Sequence, residues 1–266
     1  MLLTLTVRSL QRLLNLRDGG AEGLTLFDVP EFTMRQLQLR GLNVPASMLS
    51  GWTVHDLDRL RDRADKAGCP CLVLIEDTPL PFASPSAQLR EDAVKRVARL
   101  AQAAHRLGCN ALAVQCDSPD EDEALELTVS QIKKMMRSVE RLELNLLIAP
   151  NVGLTAAPDR LAEVIKRIGG FRIGSLPDFS HAAEAGDLIE VLRKLAPYAG
   201  AIHATVLGFD KKGKHREYDL AEAVRAIRNV GFVNTIAIDY IGAEDPVPCI
   251  ERARDVLQEA ISDEEQ

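Results

Sequence analysis

Acidic and imidazole side chains gather in the last third of the sequence. Asp178 and His181 stand three residues apart in LPDFSH, His203 lies inside the apolar run AIHATV, and Asp239 lies near the end of TIAIDY. Groups of this kind, brought together, hold and move protons, so a reactive centre is expected between these residues. Each also has a plainer use. Asp178 follows Pro177 and precedes a helix pattern, which its side chain can cap. His181 falls in the first turn of that helix, where a surface or packing role is open to it. His203 can serve as a hydrogen-bonded core histidine. Asp239 is harder to place: burying a carboxylate without a partner costs roughly several kcal/mol, so it needs a cation, a set of hydrogen bonds or the open mouth of a barrel.

Other chemistries fit less well. A Schiff-base aldolase needs a lysine at a strand end, and no strand candidate contains one. A multi-zinc phosphodiesterase needs more imidazoles than the five histidines supply, since His55 and His105 lie in helix patterns and His215 in a loop. No glycine-rich dinucleotide loop or P-loop follows a strand. Glu76, Asp77 and Asp117 form a second acid set, open to a lyase or hydrolase if the fold brings them near His203.

The elements that must position these groups read as short apolar runs alternating with amphipathic helices. Strand candidates lie at 2–7, 23–29, 43–48, 71–77, 111–116, 144–149, 171–176, 201–206 and 235–240, and the clearest helices at 53–67, 90–107, 121–141, 158–168, 186–195, 219–229 and 246–261. Such alternation argues for parallel strands with right-handed crossovers, and a length of 266 residues suits one α/β domain, a TIM (β/α)8 barrel over 1–262 with an acidic tail at 263–266. Nine strand candidates are one too many. The favoured resolution makes LLTLTV (2–7) the start of a helix across the bottom of the barrel, capped by Thr6 or Ser9; the other puts a strand near 71–77 or 111–116 outside the barrel. Residues 78–88, TPLPFASPSAQ, are expected as a loop on the catalytic face, as part of a lid.

The order LNLLIAPN, LPDFSH, AIHATV, YDLAEAVRAIRNVGF and IAIDYIG resembles the xylose-isomerase-like superfamily of sugar-phosphate isomerases and epimerases, most closely over residues 135–260. The resemblance implies a divalent metal such as manganese, magnesium, cobalt or zinc at the barrel mouth. Its ligands would include Asp178, His203 and Asp239, with Asn151 or Gln115 completing the shell; His181 matches a histidine that contacts substrate. Asp239 would then take the proton during metal-assisted enolisation of a small carbohydrate-like substrate. Two departures stand out: Ala149 occupies the position of the family's first glutamate, and Asp239 replaces its last. They keep open an alternative in which the metal and the chemistry have been lost and the barrel is a binding module for a sugar-like ligand or a protein.

Lys and Arg number 32 against 39 Asp and Glu, a formal charge of −7, which argues against nucleic acid as a partner. The one basic run, Lys211 to Arg216, reads as a solvated loop, with an anion-binding loop as the rival reading. Five scattered cysteines fit a reduced cytoplasmic protein. Arg8, Gln11 and Arg12 interrupt the apolar N-terminus, so neither a signal peptide nor a membrane span is expected there. A homo-oligomer is compatible with such a barrel.

Overall fold

Strand and helix alternate throughout the computed structural model, which describes residues 1–14 and 23–263. The strands are β1 (Leu2–Thr6), β2 (Leu42–Pro45), β3 (Cys71–Ile75), β4 (Ala111–Gln115), β5 (Asn145–Ala149), β6 (Ile173–Ser175), β7 (Ala201–Val206) and β8 (Thr235–Tyr240). Around them lie α1 (Val29–Arg35), α2 (Val54–Ala67), α3 (Ala87–Leu107), α4 (Asp122–Arg141), α5 (Pro158–Ile168), α6 (Phe179–Ala185), α7 (Leu188–Leu195), α8 (Leu220–Asn229) and α9 (Pro246–Ser262). All strand pairs are parallel, in the order β6-β5-β4-β3-β2-β1-β8-β7. The ring closes between β6 and β7 through isolated bridges, Ser175 with Ala199 and Asp178 with His203, where the N–H of His203 donates to the carbonyl of Pro177 at 2.9 Å. This is the single-domain TIM barrel expected. Of the acidic tail, residues 264–266 lie outside the described part.

The surplus strand was misplaced. LLTLTV does not begin a helix: residues 2–6 are β1, paired with β8 in the register Leu2–Thr235 to Leu5–Ile238 and with β2 on the other side. The segments near 71–77 and 111–116 are likewise inside the barrel, as β3 and β4. The segment that drops out is 23–29. There the Asp28 carboxylate accepts from the Thr25 hydroxyl at 2.5 Å, and Pro30 stands in the first turn of α1 with its φ already helical. The local turn chemistry outweighs the apolar content of GLTLFDV. The helix expected at 186–195 is α7, which begins at Leu188; Gly186, whose φ of 154° is open to glycine and little else, separates it from the preceding short α6. The loop 78–88 is pinned rather than free: Leu80 and Phe82 are buried, and Leu80 N–H donates to Gln115 O at 2.9 Å.

Side chains alternate along each strand, so residues two apart share a face. On β3, β4 and β5 the barrel's inner face is apolar, a cluster of Val73, Ile75, Ala111, Ala113, Leu147 and Ala149 joined by Leu176 and Ala201. On β1, β2, β7 and β8 the buried set includes Thr4, Thr6, Asn43, His203, Thr205 and Asp239. The interior is therefore divided into an apolar and a polar half. Helices cover the outside through a separate, larger apolar layer. All five cysteines are free and buried, and burial pushes the thiols of Cys69, Cys71 and Cys116 up to about 12, well outside the reactive range. No helix among the described residues is long and apolar enough to cross a membrane.

Candidate functional site

The polar half of the interior opens into a cavity of about 270 Å³ at the carboxyl ends of the strands. Its wall includes Thr6, Arg8, Asp77, Gln115, Ala149, Asp178, His181, His203 and Thr205. Asp178, His203 and Asp239 converge as expected: each offers a ligand-type atom, and these atoms lie within 4.8 Å of one another. They form a candidate metal-ligand triad.

Each member of the triad is also held by protein donors. Asp178 ends the β6 connection and caps α6, its Oδ1 accepting the His181 N–H at 3.0 Å while its Oδ2 accepts the Thr205 hydroxyl. The cap reading and the site reading of Asp178 thus hold together, with one oxygen serving each. His203, 7% exposed on β7, has Nε2 3.2 Å from the Asn43 amide and Nδ1 4.0 Å from Asp239 Oδ2. Asp239 is fully buried, and the guanidinium of Arg8 grips both of its oxygens, Nε donating to Oδ1 at 2.7 Å and Nη2 to Oδ2. His181 reaches the cavity from α6, with Nε2 3.2 Å from the carbonyl of Ala156.

These surroundings set the charge states. Burial raises the Asp178 carboxyl above the usual carboxylate range, against the opposing pull of His203, Thr205 and the His181 N–H. Burial lowers His203, despite the neighbouring carboxylates, and favours a neutral imidazole. The hydrogen bond to Asp239 raises Arg8 further, so that guanidinium stays charged at any working pH.

Arg8, Thr6, Asn43 and Thr205 complete the site. Arg8 was hidden by the misassignment of 2–7, since a residue read as part of a bottom helix is not looked for at the mouth. The signal was the spacing Thr4, Thr6, Arg8, one face of a strand continued past its end. The second acid set does not assemble. Glu76 turns away to an ion pair with Arg96 on α3 at 2.5 Å, Asp117 is exposed, and only Asp77 lines the cavity, held by Ser47. Asn151 donates to the carbonyl of Cys116 at 3.0 Å instead of facing the triad, whereas Gln115 does line the cavity.

The basic run folds back beside the site without entering it. His215 accepts the Leu207 N–H on Nε2 at 3.1 Å and donates from Nδ1 to the Tyr218 carbonyl at 3.2 Å, which fixes a neutral tautomer. Tyr218 in turn donates its hydroxyl to the Thr205 carbonyl at 2.5 Å and packs edge-on against Phe179 of α6. Burial lowers the His215 pKa. The unfolded chain then binds the proton more readily, so the stability contributed is complete above the unfolded value of about 6.5 and is lost as pH falls through it. Urea unfolding is expected to show a lower midpoint at pH 5.5 than at pH 8, with a smaller drop in His215→Gln. An equal drop in the variant would remove His215 from this role.

The family described as xylose isomerase-like TIM barrel matches residues 27–261. The chain belongs to that family. No curated protein matches the sequence. This xylose isomerase-like barrel is similar in structure to L-ribulose 3-epimerase, at 15% identity and TM-score 0.77, with 88% of this chain and 90% of that one covered. It is also similar to D-psicose 3-epimerase with D-tagatose from Clostridium cellulolyticum H10, at 13% identity and TM-score 0.74, with coverage of 98% and 97%. A third similar structure is the IOLI protein with a bound zinc atom, at 12% identity and TM-score 0.71, with coverage of 98% and 96%. At these identities the likeness is one of fold.

Proposed function

We propose that this barrel binds a small sugar or sugar-phosphate carbonyl compound in the 270 Å³ cavity and moves a proton between the carbon beside the carbonyl and the carbonyl carbon, with Asp178 as the proton carrier. The observation that carries this reading is the position of Asp178. It lies in the cavity wall with its carboxyl raised by burial, next to a neutral His203, at the seam where the barrel closes. A carboxylate with a raised pKa is a better base and, once protonated, a usable acid near neutrality. The epimerase neighbours support the substrate class. Inverting one carbon needs a donor and an acceptor on opposite faces. Ala149, in the cavity wall where the family's first glutamate would stand, is neither, whereas a transfer between adjacent carbons on one face needs a single group.

The residues present do not fit a divalent metal well. All four of the triad's carboxylate oxygens already accept from His181, Thr205 or Arg8, so a metal would compete with these donors for its ligands. Charge bears on this as well: two unit charges about 4 Å apart near a protein surface interact by about 4 kcal/mol, so the guanidinium would oppose a dication by about 8 kcal/mol and cancel what one of the two carboxylates offers it. No step of the proposed reaction is therefore routed through a metal.

A second reading, a binding module without chemistry, is favoured by Ala149 together with the clamp on Asp239. Incubation with aldoses, ketoses and their phosphates in D2O, followed by proton NMR, separates the two. Deuterium at the carbon beside the carbonyl supports proton transfer, binding without exchange supports the module, and neither binding nor exchange defeats both.

A further inference from the structure

We propose that Arg8 is the resident cation of this site, standing against the triad that could otherwise hold a divalent metal, and that its guanidinium keeps metal off Asp239 while offering N–H donors to an oxygen of the bound ligand. Three observations, two on Arg8 and one on Thr6, lead there. The guanidinium takes both oxygens of a carboxylate that is otherwise wholly buried, in the forked geometry that suits arginine. Its side chain is 45% exposed while it does so and lines the cavity, so it faces the ligand as well as Asp239. Beside it in the wall, Thr6 is 1% exposed with a hydroxyl that has no partner among the described residues. A buried hydroxyl in a cavity wall without a protein partner calls for an oxygen or nitrogen from outside the chain.

Thr6 and Arg8 follow the same strand face, so a ligand oxygen placed against the hydroxyl lies next to the guanidinium. This second half of the inference rests on the carbonyl-compound reading above: the oxygen in question is the one on which negative charge builds as Asp178 removes the carbon-bound proton. A guanidinium fixed by Asp239 meets that charge without reorganising. The first half, that Arg8 excludes metal, stands apart from any reaction.

The test is manganese(II) binding, read by electron paramagnetic resonance of the free ion and by calorimetry, on wild-type protein and on Arg8→Gln, Arg8→Ala and Arg8→Lys. Removing the charge frees Asp239, so Arg8→Gln is expected to bind manganese at least about tenfold more tightly than wild type and to melt at higher temperature with manganese than without. Arg8→Lys keeps a cation and is expected to bind as weakly as wild type. Arg8→Gln preserves length and polarity and carries the test if Arg8→Ala is poorly folded. Equal affinity in wild type and Arg8→Gln overturns the proposal, whether both bind or neither does. The result is independent of the sugar-exchange assay, so failure of one is not failure of the other.

Discussion

Asp178→Asn is expected to slow deuterium exchange into the substrate by about 10²- to 10⁴-fold, the usual worth of a positioned acid or base, while leaving the protein folded. The substitution keeps the shape of the side chain and an oxygen for the His181 N–H, and asparagine caps helices about as well as aspartate. Burial disfavours the native carboxylate, so its neutral replacement is expected to melt at the same temperature at pH 8 or slightly higher. A stable but inert variant separates the proton carrier from a structural cap. Exchange at the wild-type rate would remove Asp178 from the reaction.

The largest expected effect on stability belongs to Arg8. In Arg8→Ala the Asp239 carboxylate is left fully buried without its arginine partner, and breaking such a pair from one side costs about 3–5 kcal/mol. Arg8 itself is partly exposed, and water from the cavity can reach the vacated space, so a loss at or just below the bottom of that range, about 2–3 kcal/mol, is expected. Asp239→Asn on top of Arg8→Ala is expected to recover part of the loss, because the uncompensated charge is then gone. Urea denaturation of wild type, both single variants and the double variant measures this as a cycle. Additive losses would mean that the two side chains do not depend on each other.

The triad was legible because polar residues inside apolar strands are conspicuous. His203 in AIHATV and Asp239 in TIAIDY could be buried only with partners, and Asp178 at a strand end announced both a cap and a site. The barrel was legible because its period repeats along the chain. The partner of Asp239 was not, for two reasons. Arg8 lies 231 residues away, and only the pairing of β1 with β8 brings the two together. The run LLTLTV also carries two compatible patterns, an apolar stretch that can open a helix and an alternation in which Thr4, Thr6 and Arg8 share a face. The helix reading removed β1 from the barrel, and with it the arginine that pairs with Asp239. The mistaken strand at 23–29 has a separate cause, since its turn is made by Thr25, Asp28 and Pro30 rather than by apolar content.

One measurement bears most directly on the proposal that this site moves protons without a metal, with Arg8 paired to Asp239 in its stead. Wild-type protein, freed of metal by exhaustive chelation and presented with the substrate found in the sugar panel, is followed by proton NMR in D2O. Exchange at the untreated rate, unchanged by added manganese or zinc, is the predicted result; exchange abolished by chelation and restored by manganese or zinc would contradict it.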